Sequence, residues 1–285
     1  MGLGADLTDA VPPGERRGVE QNSGGAATGG NGNIIGLRAL YDLPTTAKFY
    51  QNFSLGIDYK SFKEDIVFGP VTISSPIEYY PISMNYGASW LKDRSFTEWN
   101  TSLNFHLRGM GSGERDYANK RTNAGANYVY IRSDLADTRD LKNGSQVYGK
   151  IQGQLASQPL VNSEQFAGGG LDSARGYLEG TQLGDNGIFG TLEYRSPSLI
   201  GTPDKTGVRS DEWRFHGFAD GGMLSIYNPP PSQQRHFQFA SIGAGTRFKA
   251  FKHYNGSLDV AMPLIDQGDT RAGDVRVIFR GWADF

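Results

Sequence analysis

From Lys48 to Lys60 the chain reads KFYQNFSLGIDYK. Alternate positions separate into an apolar set, Phe49, Phe53, Leu55, Ile57 and Tyr59, and a polar set, Asn52, Ser54, Gly56, Asp58 and Lys60, with Gln51 the one misfit. A period of two marks a strand with one apolar face, not a helix. Glu98 to Leu107 repeats it, with Trp99, Leu103, Phe105 and Leu107 set against Glu98, Asn100, Ser102, Asn104 and His106. Gln146 to Ala156 sets Val147, Gly149, Ile151, Gly153 and Leu155 against Gln146, Tyr148, Lys150, Gln152 and Gln154. The same alternation predicts strands over Ile34 to Asp42, Ile82 to Leu91, Ile188 to Arg195, Trp213 to Leu224, Ser241 to Phe251, Gly256 to Leu264 and Asp274 to Phe285, and less cleanly over Ala126 to Arg132. With the first three, that makes eleven strands and no helix. Most have about the 9–11 residues that a tilted strand needs to cross the hydrocarbon layer.

The connections alternate in length, as a membrane barrel with short turns at one end and long loops at the other requires. LPTTAK (Leu43 to Lys48), KDRSFT (Lys92 to Thr97) and KHYN (Lys252 to Asn255) are short. Ser61 to Ile77, Gly109 to Gly125, Gln158 to Gly187 and Asn228 to Phe239 are long. The segment after Arg195 breaks the rule, being long where parity asks for a short turn. A soluble sandwich also alternates, but here the polar face is too polar to be a core. The apolar face also carries Tyr41, Tyr59, Trp90, Trp99, Tyr194 and Trp213 near strand ends, as an interfacial girdle does. The expected fold is therefore all-β, an antiparallel transmembrane barrel of the outer membrane. Residues 1–33, rich in Gly, Pro, Asn and Ser, read as a flexible loop or disordered segment, and 34–285 as the barrel portion.

Composition removes several alternatives. A net charge of -2 with no basic cluster argues against nucleic acid as a partner. The absence of cysteine and the wide spacing of His106, His216, His236 and His253 leave no thiolate or zinc site, so no cofactor or metal is expected. No catalytic set is expected either: Ser173 has no evident His or Asp partner and reads as a loop hydroxyl. The residues after Met1 lack the basic start, apolar centre and cleavage site of an export signal.

The loop GGGLDSARG invites comparison with a phosphate cradle, but the Lys-Ser/Thr of a P-loop is missing and no helix is expected to follow. GDNG, Gly184 to Gly187, reads as a turn, with cation binding the less favoured alternative. Facing the next two strands is more informative. Ile188, Gly190, Leu192 and Tyr194 form one apolar face, so Glu193 points inward. Trp213, Phe215, Gly217, Ala219 and Gly221 form the other, so Phe218, Asp220 and Gly222 point inward. Arg175, at the tip of a loop spanning 158–187, could fold into the lumen and meet both carboxylates, to which its planar fork is suited.

These residues carry a resemblance. Gly169-Gly170 followed by Ala174-Arg175-Gly176-Tyr177 is similar to the V-R-G-[YF] loop of TpsB transporters, the ShlB/FhaC/HecB group of two-partner secretion proteins. Those transporters belong to the outer-membrane superfamily that includes the BamA insertase. Phe218-Ala219-Asp220-Gly221-Gly222 resembles the family strand motif F-x-D-x-G, and LGIDYKSF, YYPISMNYGASW, DVAMPL and a terminal Phe285 extend the likeness from about Ile34 onward. Ala174 departs from the family Val.

The resemblance implies a sixteen-stranded barrel preceded by a signal peptide, a plug helix and two periplasmic POTRA domains, of which this chain would supply the last eleven or so strands. It implies export of a large partner protein through the lumen, without nucleotide. It also implies that the loop occupies the lumen and that Arg175, Asp220 and Glu193 shape the conducting state. The expected partners are a secreted exoprotein, outer-membrane lipids and, through the C-terminal strand ending in Phe285, the barrel assembly machinery. The alternatives are a barrel-assembly insertase of the same superfamily or a passive porin.

Overall fold

The computed structural model describes residues 20–21, 26–68, 71–201 and 210–284. Fifteen strands are described: β1 (Glu20–Gln21), β2 (Ala26–Asp42), β3 (Phe49–Phe68), β4 (Val71–Tyr79), β5 (Ile82–Lys92), β6 (Ser95–His106), β7 (Tyr128–Asp140), β8 (Gln146–Ala156), β9 (Phe166–Gly168), β10 (Gln182–Gly184), β11 (Asn186–Arg195), β12 (Glu212–Ser225), β13 (His236–Ala250), β14 (Tyr254–Pro263) and β15 (Arg276–Ala283). One antiparallel sheet runs β1-β2-β3-β5-β6-β7-β8-β11-β12-β13-β14-β15, with β4 added to the far end of β3. β9 and β10 form a separate ribbon. The sheet is not closed among the described residues: β15 pairs with β14 alone.

Each of the eleven predicted strands is present, and the apolar face of each is the one turned away from the protein. Leu55, Leu103, Ile151, Leu155, Leu192, Phe215 and Val260 are all exposed on it. Polar neighbours such as Ser54, Gln154, Glu193 and Asp220 are buried on the other. This is inside-out for a soluble protein and right for a wall between lipid and lumen, where the ladder satisfies every backbone group that hydrocarbon cannot. Tyr41, Trp99, Tyr194 and Trp213 are exposed, whereas Tyr59 and Trp90 are half-buried against Tyr80 and Phe49, with ring centroids 5.2 and 5.4 Å apart.

Most differences from the expected elements lie beyond the ends of the spanning strands, although β7, expected to end at Arg132, continues to Asp140. The strand expected from Ile34 starts at Ala26, inside the segment read as flexible. The stretch read as a loop from Ser61 to Ile77 is instead a hairpin, because β3 continues to Phe68 and pairs with β4. Beyond the lipid no face needs to be apolar, so the period that identifies a strand fades. A helix, α1 (Glu114–Lys120), interrupts the loop between β6 and β7. At seven residues it is too short to show a helical repeat, but Glu114 and Asp116 favour its N-terminus, and the Asp116 carboxylate accepts the Gly113 N–H at 2.9 Å. The long segment after Arg195 is a loop where described, tied back by Leu199 N–H donating to Trp213 O at 2.8 Å. Most of its remainder lies outside the described residues, as does Phe285.

The buried apolar residues sit on the lumen face in two clusters. One joins Tyr79, Tyr117, Tyr128, Tyr130, Leu160 and Val161 near the long-loop end. The other joins Phe166, Ala174 and Tyr177 of the 158–187 loop to Phe189, Leu224, Phe237 and Phe239 of the wall. The loop is thus packed against the buried face of the sheet and supplies part of the core there.

Candidate functional site: a lumen loop clamped to the wall

The loop between β8 and β11 descends along the lumen face and turns back at a tight knot. Gly169 and Gly170 both adopt positive φ, +98° and +94°, a conformation that glycine takes without strain. A Cβ on Gly169 would strike Leu178 O. Ser173 Oγ accepts the Gly169 N–H at 2.9 Å and donates to Gly169 O at 3.0 Å, so this hydroxyl closes the loop on itself. The Gly170 N–H lies 3.1 Å from both Ala174 O and Tyr177 O. Ala174 is fully buried. At Gly176 the backbone comes so close to the wall that a Cβ would lie 2.7 Å from Pro263 N and 2.8 Å from Ser241 Cβ. The Tyr177 ring meets Phe239 edge-on at 5.0 Å, and its hydroxyl donates to Ile265 O at 2.8 Å while accepting the Ala240 N–H at 3.3 Å.

Arg175 projects from this knot onto the wall. Its Nε donates to Asp220 Oδ2 at 2.9 Å and its Nη2 to Asp220 Oδ1 at 2.8 Å, a bidentate fork, and its backbone N–H reaches Asp220 Oδ2 at 3.1 Å. Nη1 donates to Glu193 Oε2 at 3.0 Å. The guanidinium carbon lies 3.3 Å from the Phe218 ring centroid, a cation–π stack on the face of the motif phenylalanine. Gly222 sits one inward position further along β12, where a Cβ would collide with the Phe189 ring.

Register explains how one arginine meets residues from two strands. Thr191 pairs with Asp220 and Glu193 with Phe218 across β11 and β12, so the two carboxylates occupy adjacent rungs on one face. Thr191 Oγ1 donates to Asp220 Oδ1 at 3.0 Å.

Residues that the sequence reading did not single out complete the charge balance. Arg195 Nε donates to Glu193 Oε1 at 2.7 Å, and Arg247 Nη2 lies 3.2 Å from the same oxygen. Asp259, 3.9 Å from Arg175 Nη1, is bonded to His216 Nε2 at 2.6 Å. Arg175, Arg195 and Arg247 therefore face Glu193, Asp220 and Asp259, a cluster with equal numbers of formal charges. Arg175, Glu193, Asp220 and Asp259 are all buried. Charges removed from water are tolerable only when paired and hydrogen-bonded in this way. Inward alternation on β13 and β14 could have located Arg247 and Asp259; nothing in a lone sequence ranks them above other inward polar residues.

A second set of contacts holds the root of the loop. Asp185, in the GDNG segment considered above as a turn or cation site, is fully buried and receives the Arg121 fork at 2.5 and 2.6 Å, together with the Leu160 N–H at 2.8 Å and the Tyr227 N–H at 2.7 Å. A guanidinium takes the place a metal cation would have had, and three long loops converge on one carboxylate. Glu164 accepts Lys60 Nζ at 2.6 Å, Tyr79 OH at 2.7 Å and Tyr130 OH at 2.8 Å. In the same outer region the Ala126 N–H, bonded to Glu114, holds that carboxyl below the usual range against the opposing pull of desolvation, with Arg108 assisting. Burial pushes the Tyr117 hydroxyl up, and the charges of Glu164 and Glu114 add to it.

A family model described as "Haemolysin secretion/activation protein ShlB/FhaC/HecB" matches residues 25–248. Among solved structures, CdiB from Escherichia coli is similar with a TM-score of 0.73 at 18% identity, over 94% of this chain and 48% of that one. CdiB from Acinetobacter baumannii is similar at 0.65 and 16%, over 91% of this chain and 43% of that one. BamA from Haemophilus ducreyi lacking POTRA domains 1-3 is similar at 0.62 and 12%, over 92% and 60%. The chain therefore spans less than two thirds of each, and the likeness to them is one of fold. No curated protein matches.

Proposed function

The chain belongs to the haemolysin secretion/activation family ShlB/FhaC/HecB, and we propose that the complete protein exports one large partner protein across the outer membrane through the lumen that this sheet walls. The observation that carries the reading is the loop tip: an arginine in an A-R-G-Y turn, buried against the aspartate of an F-x-D-x-G strand, inside a wall with lipid on its other face. Such a loop obstructs the lumen while clamped. It is joined to the wall covalently only at its ends, and its seat combines apolar packing with an ion cluster whose partners can be exchanged, as a movable obstruction in a conduit has to allow.

In this reading Arg175, Asp220 and Glu193 fix the loop against the wall, while Gly176 and Tyr177 set its seat. The exposed apolar face meets outer-membrane lipid, the C-terminal strand is the part addressed by the barrel assembly machinery, and the cargo is a secreted exoprotein. The insertase alternative has less support, since the family model that matches residues 25–248 is that of haemolysin secretion/activation proteins.

The test is secretion in a host lacking both components. The complete protein, expressed with the large exoprotein encoded beside its gene, is expected to release that exoprotein to the medium. Retention in the periplasm, with normal insertion of the barrel, would exclude export.

A further inference from the structure

On the lumen face beside the clamp lies a cavity of about 300 Å³, lined by β8, β11, β13, β14 and β15 and roofed by the loop at Leu171 and Asp172. Five cationic side chains and three anionic ones line it. With Asp220 counted, which holds Arg175 from outside the lining, one positive charge remains in excess. The distribution says more than the total. Arg195 and Arg247 share Glu193, and Asp259 is taken by His216. Lys150 and Arg280 have no ion pair among the described residues, and the Arg280 guanidinium lies 5.2 Å from the Trp282 ring centroid. Arg247 Nε is buried without a hydrogen-bond partner. A buried donor left unpaired is costly, and the donors here outnumber the acceptors that could serve them.

The group that fits is one that only accepts and carries negative charge. We propose that this cavity is a docking subsite for carboxylate side chains of an extended polypeptide, with Lys150, Arg247 and Arg280 as the cationic contacts and Trp282 and Tyr148 flanking it. The volume is at the low end for binding pockets, enough for a side chain and its adjoining backbone but not for a folded element. The inference rests on the export reading for its occupant, since the peptide that enters a lumen is the one being moved. It gives that cargo a chemical character: acidic residues would be retained briefly next to the loop that blocks their way.

Fluorescently labelled hexaglutamate, titrated against the detergent-solubilised complete protein and followed by anisotropy, tests the site without any secretion step. Hexaglutamate should bind, hexaglutamine should not, and salt should weaken the binding. The Lys150→Gln/Arg280→Gln variant, which leaves every contact of Arg175 in place, should bind about tenfold more weakly, as expected for two partly exposed charges. Its retention of heat-modifiable migration on gels would show that the barrel is intact. Equal binding of the two peptides, an unchanged affinity in the double variant, or displacement by inorganic phosphate at the peptide's own concentration would each overturn the proposal. Hexaglutamate binding by a protein that exports nothing would leave the subsite standing and remove the export reading instead.

Discussion

Arg175→Ala removes three side-chain hydrogen bonds, all between ions, and the stack on Phe218, while leaving the knot at Gly169 and Ser173 untouched. The consequences for the two carboxylates differ. Glu193 keeps Arg195 and Arg247 and remains paired. Asp220 keeps only the Thr191 hydroxyl, a long contact from Ser241 Oγ at 3.4 Å and the backbone N–H of residue 175, so a buried carboxylate is left without a counter-ion. Breaking such a pair costs about 3–5 kcal/mol, which multiplies the population of the undocked loop by about 10²–10⁴.

The chain has no cysteine, so Ser173→Cys at the buried knot makes a reporter. Its labelling by a membrane-impermeant maleimide should be slow with Arg175 present and faster by about two orders of magnitude or more with Ala. Exoprotein secretion should fall while the barrel still assembles. Arg175→Lys keeps the charge but not the fork, and should fall in between. Labelling and secretion both unchanged in Arg175→Ala would refute the clamp.

Four further outcomes follow from the same geometry. Asp220→Asn should reproduce the secretion defect, and the Arg175→Ala/Asp220→Asn double variant should be no worse than either single one; additive defects would show that the two do not act as a pair. Gly176→Ala, with Arg175 intact, should displace the loop because its methyl meets Pro263 and Ser241, giving a labelling increase like that of the arginine variant. Asp185→Asn should loosen the contact with Arg121 and make the α1 segment susceptible to protease added to whole cells; unchanged resistance would mean that the Arg121 fork does not hold it. Because the Glu114 carboxyl titrates below its ordinary range, its support of α1 is complete above that range and is lost as pH falls through the depressed value. Hydrogen-exchange protection in α1, measured relative to the intrinsic rate at each pH, should accordingly fall on acidification in the native protein and show a smaller pH response in Glu114→Gln.

The membrane-spanning part of the fold is legible in the sequence because lipid imposes a constraint on every second residue. KFYQNFSLGIDYK could be faced with no other information, and so could the strands bearing Glu193 and Asp220. Where lipid ends, legibility ends with it. The second half of β7, SDLADTRD, lies beyond the strand expected to end at Arg132, because Ser133 and Asp137 interrupt its apolar positions, yet it pairs across to β6 from Ser95 to Thr101. The β3–β4 hairpin is hidden because no face there has to be apolar, and α1 because seven residues are too few to show a helical repeat.

The site divides similarly. The loop and its two carboxylates follow from strand facing together with a family resemblance. The encirclement of Glu193 by three guanidiniums depends on which strands neighbour one another and how their rungs align, and Arg121 meets Asp185 across 64 positions of sequence through loop packing alone.

The most direct test of the account places a photo-crosslinking amino acid in the wall of the complete protein while an exoprotein is stalled in transit. Asn104 and Leu103 are neighbours on β6 with opposite faces, the first toward the lumen and the second exposed to lipid. The account predicts crosslinks to the stalled exoprotein from position 104 and none from 103. Crosslinks from neither position, or equally from both, would contradict the claim that this sheet walls an export conduit.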